Sequence, residues 1–150
     1  MHVPTNRGIY TLVTAAVSAA TDIRMGVITD GQAFPDPAAI VDMNFVSDLL
    51  AVATEAQAAG YSRVDLANVT VAEDDTSNAV AITADAASWA TVAEGESWAG
   101  AFFYLQNADD SAAVLLSVHR RDVAGTPTPL PTNGGSITAP GFTYSFQRPA

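Results

Sequence analysis

Residues 97–121 constrain the fold of this chain most, because they form two apolar runs around a short polar cluster. The first run is SWAGAFFYLQ at residues 97–106, the second is AAVLLSVH at residues 112–119, and NADDS lies between them. Short runs rich in aromatic and branched side chains, separated by turn-forming residues, are typical of paired β-strands. The stretch therefore predicts an antiparallel β-hairpin.

Both alternating series of this hairpin are apolar. One series contains Trp98, Phe102, Tyr104, Val114, Leu116 and Val118, and the intervening series contains Phe103, Leu105 and Leu115. A strand with this pattern is covered on both faces. We expect one face to meet the core of the domain and the other to meet a second sheet, a helix or another protein chain. A chain this small can hardly cover both faces by itself, so part of this surface is a candidate subunit contact.

In the first 52 residues, the pattern predicts two helices and one strand. Asn6 can cap an amphipathic helix with apolar positions at Ile9, Leu12, Val13, Ala16, Val17 and Ala20. Thr11 and Thr14 interrupt this stretch, which favours an uncleaved helix over a signal peptide. Residues 22–29 alternate like a strand. Residues 41–52 predict a short helix capped by Asn44 or Asp42.

Short strands dominate the rest of the chain. We predict strands within residues 61–71, 79–83, 87–92, 136–138 and 142–146, with a turn at residues 73–78. The fold class is therefore mainly β (α+β), a β-sandwich or barrel-like sheet with an N-terminal amphipathic helix and a short second helix. We expect a single domain spanning residues 1–150, with a flexible N-terminal arm (1–7) and a surface loop rich in Pro and Gly (125–141).

The charge and composition exclude several classes of function. The formal net charge is −10, all six basic residues are arginines, and there is no cysteine. Nucleic-acid binding needs a dense basic surface, so no nucleic-acid partner is expected. No apolar run is long enough to span a bilayer, so no membrane partner is expected either. Without cysteine there is no disulfide framework, thiolate metal site or thiol nucleophile.

No catalytic or metal-binding constellation is found among the motifs. His2 and His119 each lack a partner at metal-ligand spacing, so His119 is expected to be structural or on the surface. The acidic pairs at residues 74–75 and 109–110 lack the glycine and distal glutamate of a calcium loop and favour solvated turns. Residues 133–136 contain a glycine pair, but no helix follows it to cradle a phosphate. We expect no catalytic residues, cofactor or metal.

Arg120 and Arg121 form the only pair of adjacent basic residues. Their guanidinium groups could anchor an acidic partner surface through bidentate pairing. Local pairing with Asp122 or with a neighbouring strand is the alternative, and the sequence leaves the two open.

The order of motifs along nearly the whole chain resembles that of a known family. An amphipathic helix starting with YTL at residues 10–12 is followed by the strand IRMGVITD at 23–30 and the acidic helix NFVSDL at 44–49. The motifs GYSR at 60–63 and AITADAASW at 81–89 precede FFYL at 102–105 and VLLSV at 114–118. TNGGSIT at 132–138 and FTYSF at 142–146 close the chain. This order is similar to that of small virion structural proteins of tailed bacteriophages, of the minor capsid or head decoration type.

The resemblance implies a non-enzymatic decoration or minor capsid protein on the outer surface of a phage head, made in the bacterial host cytoplasm. Its implied partner is the major capsid protein, and it would be a homo-oligomer, a trimer or dimer. The irregular, proline-containing segments are the candidate interface, with His2, Pro4, Arg7, Arg120, Arg121, Pro127, Pro129 and Pro131. The alternatives are a tail or head–tail connector component, and a carbohydrate- or receptor-binding β-sandwich module with Tyr61 or Trp98 as an exposed aromatic platform.

Overall fold

The computed structural model describes Tyr10, residues 13–16 and residues 22–147. The protein is mainly β, with 45% of the described residues in strands and 11% in helices. The strands are β1 (Ile23–Thr29), β2 (Val64–Asp65), β3 (Thr70–Asp74), β4 (Ala79–Trp89), β5 (Ser97–Leu105), β6 (Val114–Arg120), β7 (Asp122–Val123), β8 (Thr126–Pro127), β9 (Leu130–Pro131) and β10 (Ile137–Gln147). The helical segments are α1 (residues 13–16), α2 (Pro37–Ile40) and α3 (Val46–Leu50).

These strands form antiparallel sheets that do not close into a barrel. The first sheet has the order β2-β1-β5-β6, and β9 also pairs with β5. The second has the order β10-β4-β3, and β7 and β8 form a small separate hairpin. The sandwich alternative of the sequence prediction therefore describes the architecture better than a barrel-like sheet.

The first core lies between the two larger sheets. Met25 and Val27 of β1 and Phe103 of β5 meet Ile82 of β4 and Phe142 of β10. Phe103 and Phe142 stack with ring centroids 4.2 Å apart. Val13 of α1 packs against this core, in agreement with the predicted N-terminal helix. The arm at residues 1–7 lies outside the described residues.

A second core covers the opposite face of the first sheet. Phe102 and Tyr104 of β5 and Ile28 of β1 pack against Val46 and Leu49 of α3. Both faces of β5 are therefore covered from within the chain, one by a sheet and one by a helix. The premise that a chain of this size could hardly cover both faces was wrong, and the predicted subunit contact loses this particular support.

Two irregularities change which side chains share a face of the hairpin. The β1–β5 register shifts between Ile28 and Thr29, and Trp98 joins the first core although Phe102 and Tyr104 belong to the second. The β5–β6 register shifts between Phe103 and Tyr104. An inserted residue reverses the side-chain alternation beyond it, and so Leu116 reaches the first core and Val118 the second. The predicted series of even positions is divided between the two cores.

Several predicted boundaries also differ from the structure. The segment 79–83 and residues 87–89 of the segment 87–92 belong to one long strand, β4, which ends at Trp89. The two closing segments belong to β10, whose pairing shifts between Thr138 and Phe142. The predicted strand within residues 61–71 is instead two shorter strands, Val64–Asp65 and Thr70–Asp74, the second of which extends into the predicted turn. Helix α3 has Phe45 at its N-cap position, not Asn44 or Asp42. The Asp48 carboxylate instead accepts hydrogen bonds from the backbone N–H groups of Asn44 and Phe45.

Candidate functional site

The adjacent arginines lie where β6 ends and the proline-rich segment begins. Arg120 is exposed, and its Nε lies 3.1 Å from Oδ1 of Asp122. The guanidinium of Arg121 donates to the carbonyl oxygen of Thr128. Both arginines therefore make local contacts, as the second of the two sequence interpretations expected. The contact with Asp122 leaves much of the Arg120 side chain, 45%, open to solvent.

The proline-rich segment is tied to the sheet and is not a free loop. Its backbone folds back at the β7–β8 hairpin, and Thr128 N–H donates to the carbonyl of Arg121. Farther along, Leu130 pairs with Trp98 across the β5–β9 ladder. The predicted surface loop 125–141 thus contains β8, β9 and the start of β10. Pro127 and Pro131 are exposed and Pro129 is half-buried.

A groove of about 490 Å³ opens beside this segment, between β6 and β10. Its floor consists of first-core side chains, including Met25, Trp98 and Phe103. Arg120, Arg121 and Asp122 line one side and residues 137–143 of β10 the other. The structure therefore brings the arginine pair, part of the proline-rich segment and the irregular stretch of β10 to one surface.

A smaller groove of about 330 Å³ lies on the other side of β6. It is lined by Phe34 and Pro35, by Pro37 and Ile40 of α2, and by residues of the β6 end. His119, Arg120 and Asp122 line both grooves. The end of β6 is therefore the wall between an apolar groove over the first core and a second groove beside α2. We call the last residues of β6 with the two that follow (118–122), these two grooves and the proline-rich segment (126–131) the β6 surface.

His119 contributes an exposed imidazole to this surface. The ring meets Phe103 edge-on at 5.5 Å, and Nε2 lies 3.1 Å from the Ser117 hydroxyl. Partial desolvation lowers the pKa of His119 below its ordinary value of 6.5. Within the described residues, no group of three or more His, Asp or Glu side chains is arranged to hold a metal ion.

The two acidic pairs have distinct roles. Asp74 accepts hydrogen bonds from Thr76 and Ser77 in the β3–β4 turn, and Asp109 accepts them from Ser111, and these bonds lower the pKa of both carboxyl groups. The turn interpretation is confirmed for these two residues. Asp110 instead faces inward to an arginine, a contact that sequence patterns did not reveal.

That arginine is Arg63, the centre of a half-buried ionic network. Its Nε and Nη2 donate to the two carboxylate oxygens of Glu55 at 2.7 and 2.6 Å, and its Nη1 and Nη2 donate to those of Asp110 at 2.5 and 2.9 Å. These bonds hold the guanidinium charged and raise its pKa further. The guanidinium also lies 5.5 Å from the ring centroid of Phe102 and 5.4 Å from that of Tyr104.

Tyr61 connects this network to a cluster of aromatic rings. Its hydroxyl donates to Glu55 at 2.7 Å and accepts from the N–H of Val27 at 3.0 Å. Burial, together with the Glu55 charge, raises the pKa of Tyr61. The Tyr61 ring packs on the rings of Trp89 and Trp98. The centroids of the two tryptophan rings are 5.1 Å apart, and each tryptophan is 4% exposed. Glu55, Tyr61 and Arg63 all belong to the loop between α3 and β2. The ionic network and the ring cluster hold this loop against the first sheet, so their role is structural.

The sequence-predicted interface residues therefore fall into two groups. Arg120, Arg121, Pro127, Pro129 and Pro131 all belong to the β6 surface. His2, Pro4 and Arg7 lie outside the described residues. The rings of Tyr61 and Trp98 form no exposed platform, and the carbohydrate-binding alternative loses the two side chains on which it depended.

Within the residues that the structure describes, no helix has the length and apolar character needed to cross a bilayer. No family model matches the chain, and neither the curated proteins nor the solved structures contain a match.

Proposed function

We propose that this protein is a non-enzymatic structural component of a phage virion, a decoration or minor capsid protein that binds the outer surface of the major capsid protein lattice. The observation that carries the proposal is the β6 surface. It combines an apolar groove, an exposed arginine and exposed prolines on one side of an otherwise acidic protein. Such a surface suits contact with another protein.

The way the surface is built supports a binding role. The β5–β6 hairpin is packed on both faces, and β9 fixes the proline-rich segment to β5. A partner would therefore meet a largely preformed surface and lose little freedom in ordering it. The order of motifs in the sequence gives this binding role its context, the phage head.

Repetition on a lattice would let many weak contacts stabilise the capsid strongly. Once an oligomer is bound through one β6 surface, its other β6 surfaces meet neighbouring capsid subunits at high effective concentration. The total stabilisation can therefore far exceed that of a single site. Within this proposal the protein acts as a dimer or trimer, which places several β6 surfaces on neighbouring capsid subunits at once.

Cryo-EM reconstruction of purified particles from the source tests the proposal, with the copy number of this chain measured from the map. We expect density at symmetry-related positions over the head, with the β6 surface facing the major capsid protein. A few copies on the tail axis would favour the connector alternative. Absence of the chain from every particle would overturn the virion role.

A further inference from the structure

We propose that the outer edge of β6 binds an extended, acidic segment of a partner protein as an additional β-strand. The inference rests on the proposed function, because it takes the partner to be a protein. It deepens that function by naming the strand edge that binds and the chemistry of the segment that it recognises. Three observations carry it: the backbone edge, the grooves beside it and the charge at its end.

The backbone edge of β6 is open along most of its length. One side of the strand pairs with β5, from Gly100 opposite Arg120 to Leu105 opposite Val114. On the other side, Leu115 N–H donates to Asn44 and Ala113 accepts from Val46, so this contact ends near the start of the strand. From residue 116 to residue 120, no described backbone group pairs with that side. Alternate residues there direct N–H and C=O groups outward, which is what an added strand requires.

The two grooves lie where the side chains of an added strand would point. Successive side chains of a strand alternate between the faces of its sheet. A strand added to β6 would direct one set toward the groove of about 490 Å³ over the first core and the other toward the groove of about 330 Å³ beside α2. The larger groove has Met25, Trp98 and Phe103 on its floor and suits apolar side chains.

The charge at the end of β6 selects an acidic partner. The chain has a net charge of −10, yet it places its only adjacent arginines at this edge. The exposed Arg120 faces only one carboxylate, that of Asp122, in the ion pairs of the described residues. β6 of a second copy carries no carboxylate at residues 116–120 (LSVHR), so it offers no acidic group to pair with Arg120 across the strands. A heterologous strand with acidic residues on its Arg120 side is therefore favoured.

A synthetic peptide tests the inference directly on the full chain. The probe is acetyl-Thr-Val-Asp-Val-Glu-Val-Thr-amide, whose valines share one face and whose acidic residues share the other. A matched peptide carries lysine in place of both acidic residues, and a third carries proline in place of the central valine. Binding is followed by amide NMR shifts and by amide hydrogen exchange at residues 116–120.

We expect the acidic peptide to shift these amides and to slow their exchange. The lysine and proline peptides are expected to bind about fivefold more weakly. Arg120→Gln should weaken binding of the acidic peptide by a similar factor. Arg24→Gln is the matched control, because Arg24 is also partly exposed and paired to a carboxylate, that of Asp65, but lies outside both grooves. It should leave binding unchanged.

Three results would overturn strand addition at β6. These are no binding at millimolar peptide, equal binding of the acidic and lysine peptides, or shifts in groove residues without slower exchange along β6. Self-association through the same amides would overturn the heterologous partner. The particle reconstruction is a separate readout. Peptide binding by a protein that is absent from particles would reject the virion role and retain the strand-binding edge.

Discussion

The phenyl ring of Phe102 lies directly on Gly26, its partner across the β1–β5 ladder. A β-carbon at residue 26 would lie 2.2 Å from Cζ of that ring, closer than any side chain permits. Phe102 is fully buried in the second core, with α3 packed on the same side of the sheet. The missing side chain of Gly26 thus makes the space in which this ring is buried.

Gly26→Ala is therefore expected to destabilise the protein. The added methyl group must displace the Phe102 ring within a packed core, at a cost of about 1–3 kcal/mol in the free energy of unfolding. Urea denaturation followed by tryptophan fluorescence measures this change. Gly31→Ala is the control, because its β-carbon would meet only Thr29 Oγ1 at 3.6 Å. Equal stability of the two variants would contradict the packing described for Phe102.

Arg63→Met should have a larger effect than the loss of an ordinary ion pair. The substitution leaves Glu55 and Asp110 without the guanidinium that both contact, and we expect a loss of about 2–4 kcal/mol. Arg63→Lys should recover only part of this, since an ammonium group cannot form the two bidentate contacts. Denaturation of both variants beside Arg24→Lys tests the assignment. Arg24 forms partly exposed pairs, so its substitution should change stability by no more than about 0.5 kcal/mol.

Gly60 is required for a backbone reason. Its φ is +89°, and a β-carbon there would lie 1.9 Å from the carbonyl oxygen of Thr91. Gly60→Ala combines left-handed strain with this clash and should cost about 2–4 kcal/mol. Gly95, with φ +113° and open space around it, isolates the strain alone. Thermal unfolding should place Gly95→Ala between the wild type and Gly60→Ala, and the reverse order would show that the contact with Thr91 is unimportant.

His119 should make stability depend on pH in a predictable direction. Because its folded-state pKa is lowered, the unfolded chain binds its proton more readily around the ordinary value of 6.5. The contribution of neutral His119 is fully present above that value and is lost as the pH falls through the lower, folded-state pKa. NMR titration of the imidazole should give a midpoint below that of His119 in a short peptide. In His119→Gln, this part of the pH dependence should disappear, whereas a normal or raised midpoint would contradict the described environment.

The sequence predicted the β-rich class, the β5–β6 hairpin and α3, because each depends on local periodicity and turn residues. It assigned Trp98 to the face of Phe102 and Tyr104, and this was wrong. Period-two reasoning assumes an unbroken ladder, whereas the register shifts near Trp98 and beside Tyr104. Such shifts depend on the partner strands and leave no local signal.

The candidate site was only partly accessible from the sequence. The basic pair and the prolines stand out in composition, and the fold brings them to one surface. The two grooves could not be predicted, because they depend on how β10 and α2 lie beside β6. The Arg63 network was missed for a related reason. Glu55 and Arg63 lie in the loop between α3 and β2 and Asp110 lies in the turn between β5 and β6, and only the tertiary fold brings the two segments into contact.

The pairing of β1 with β5 has a consequence for how the chain folds. Ile23 finds its partner at Leu105, so the central ladder of the first sheet cannot form until most of the chain has been synthesised. β10, at the far end of the chain, must likewise return to β4. Closing such long loops costs entropy before any contact compensates, which makes folding slow for a domain of this size. During synthesis, the apolar residues of β1 would stay exposed until β5 has left the ribosome. Chaperone binding or aggregation would compete with formation of the native sheet during this time.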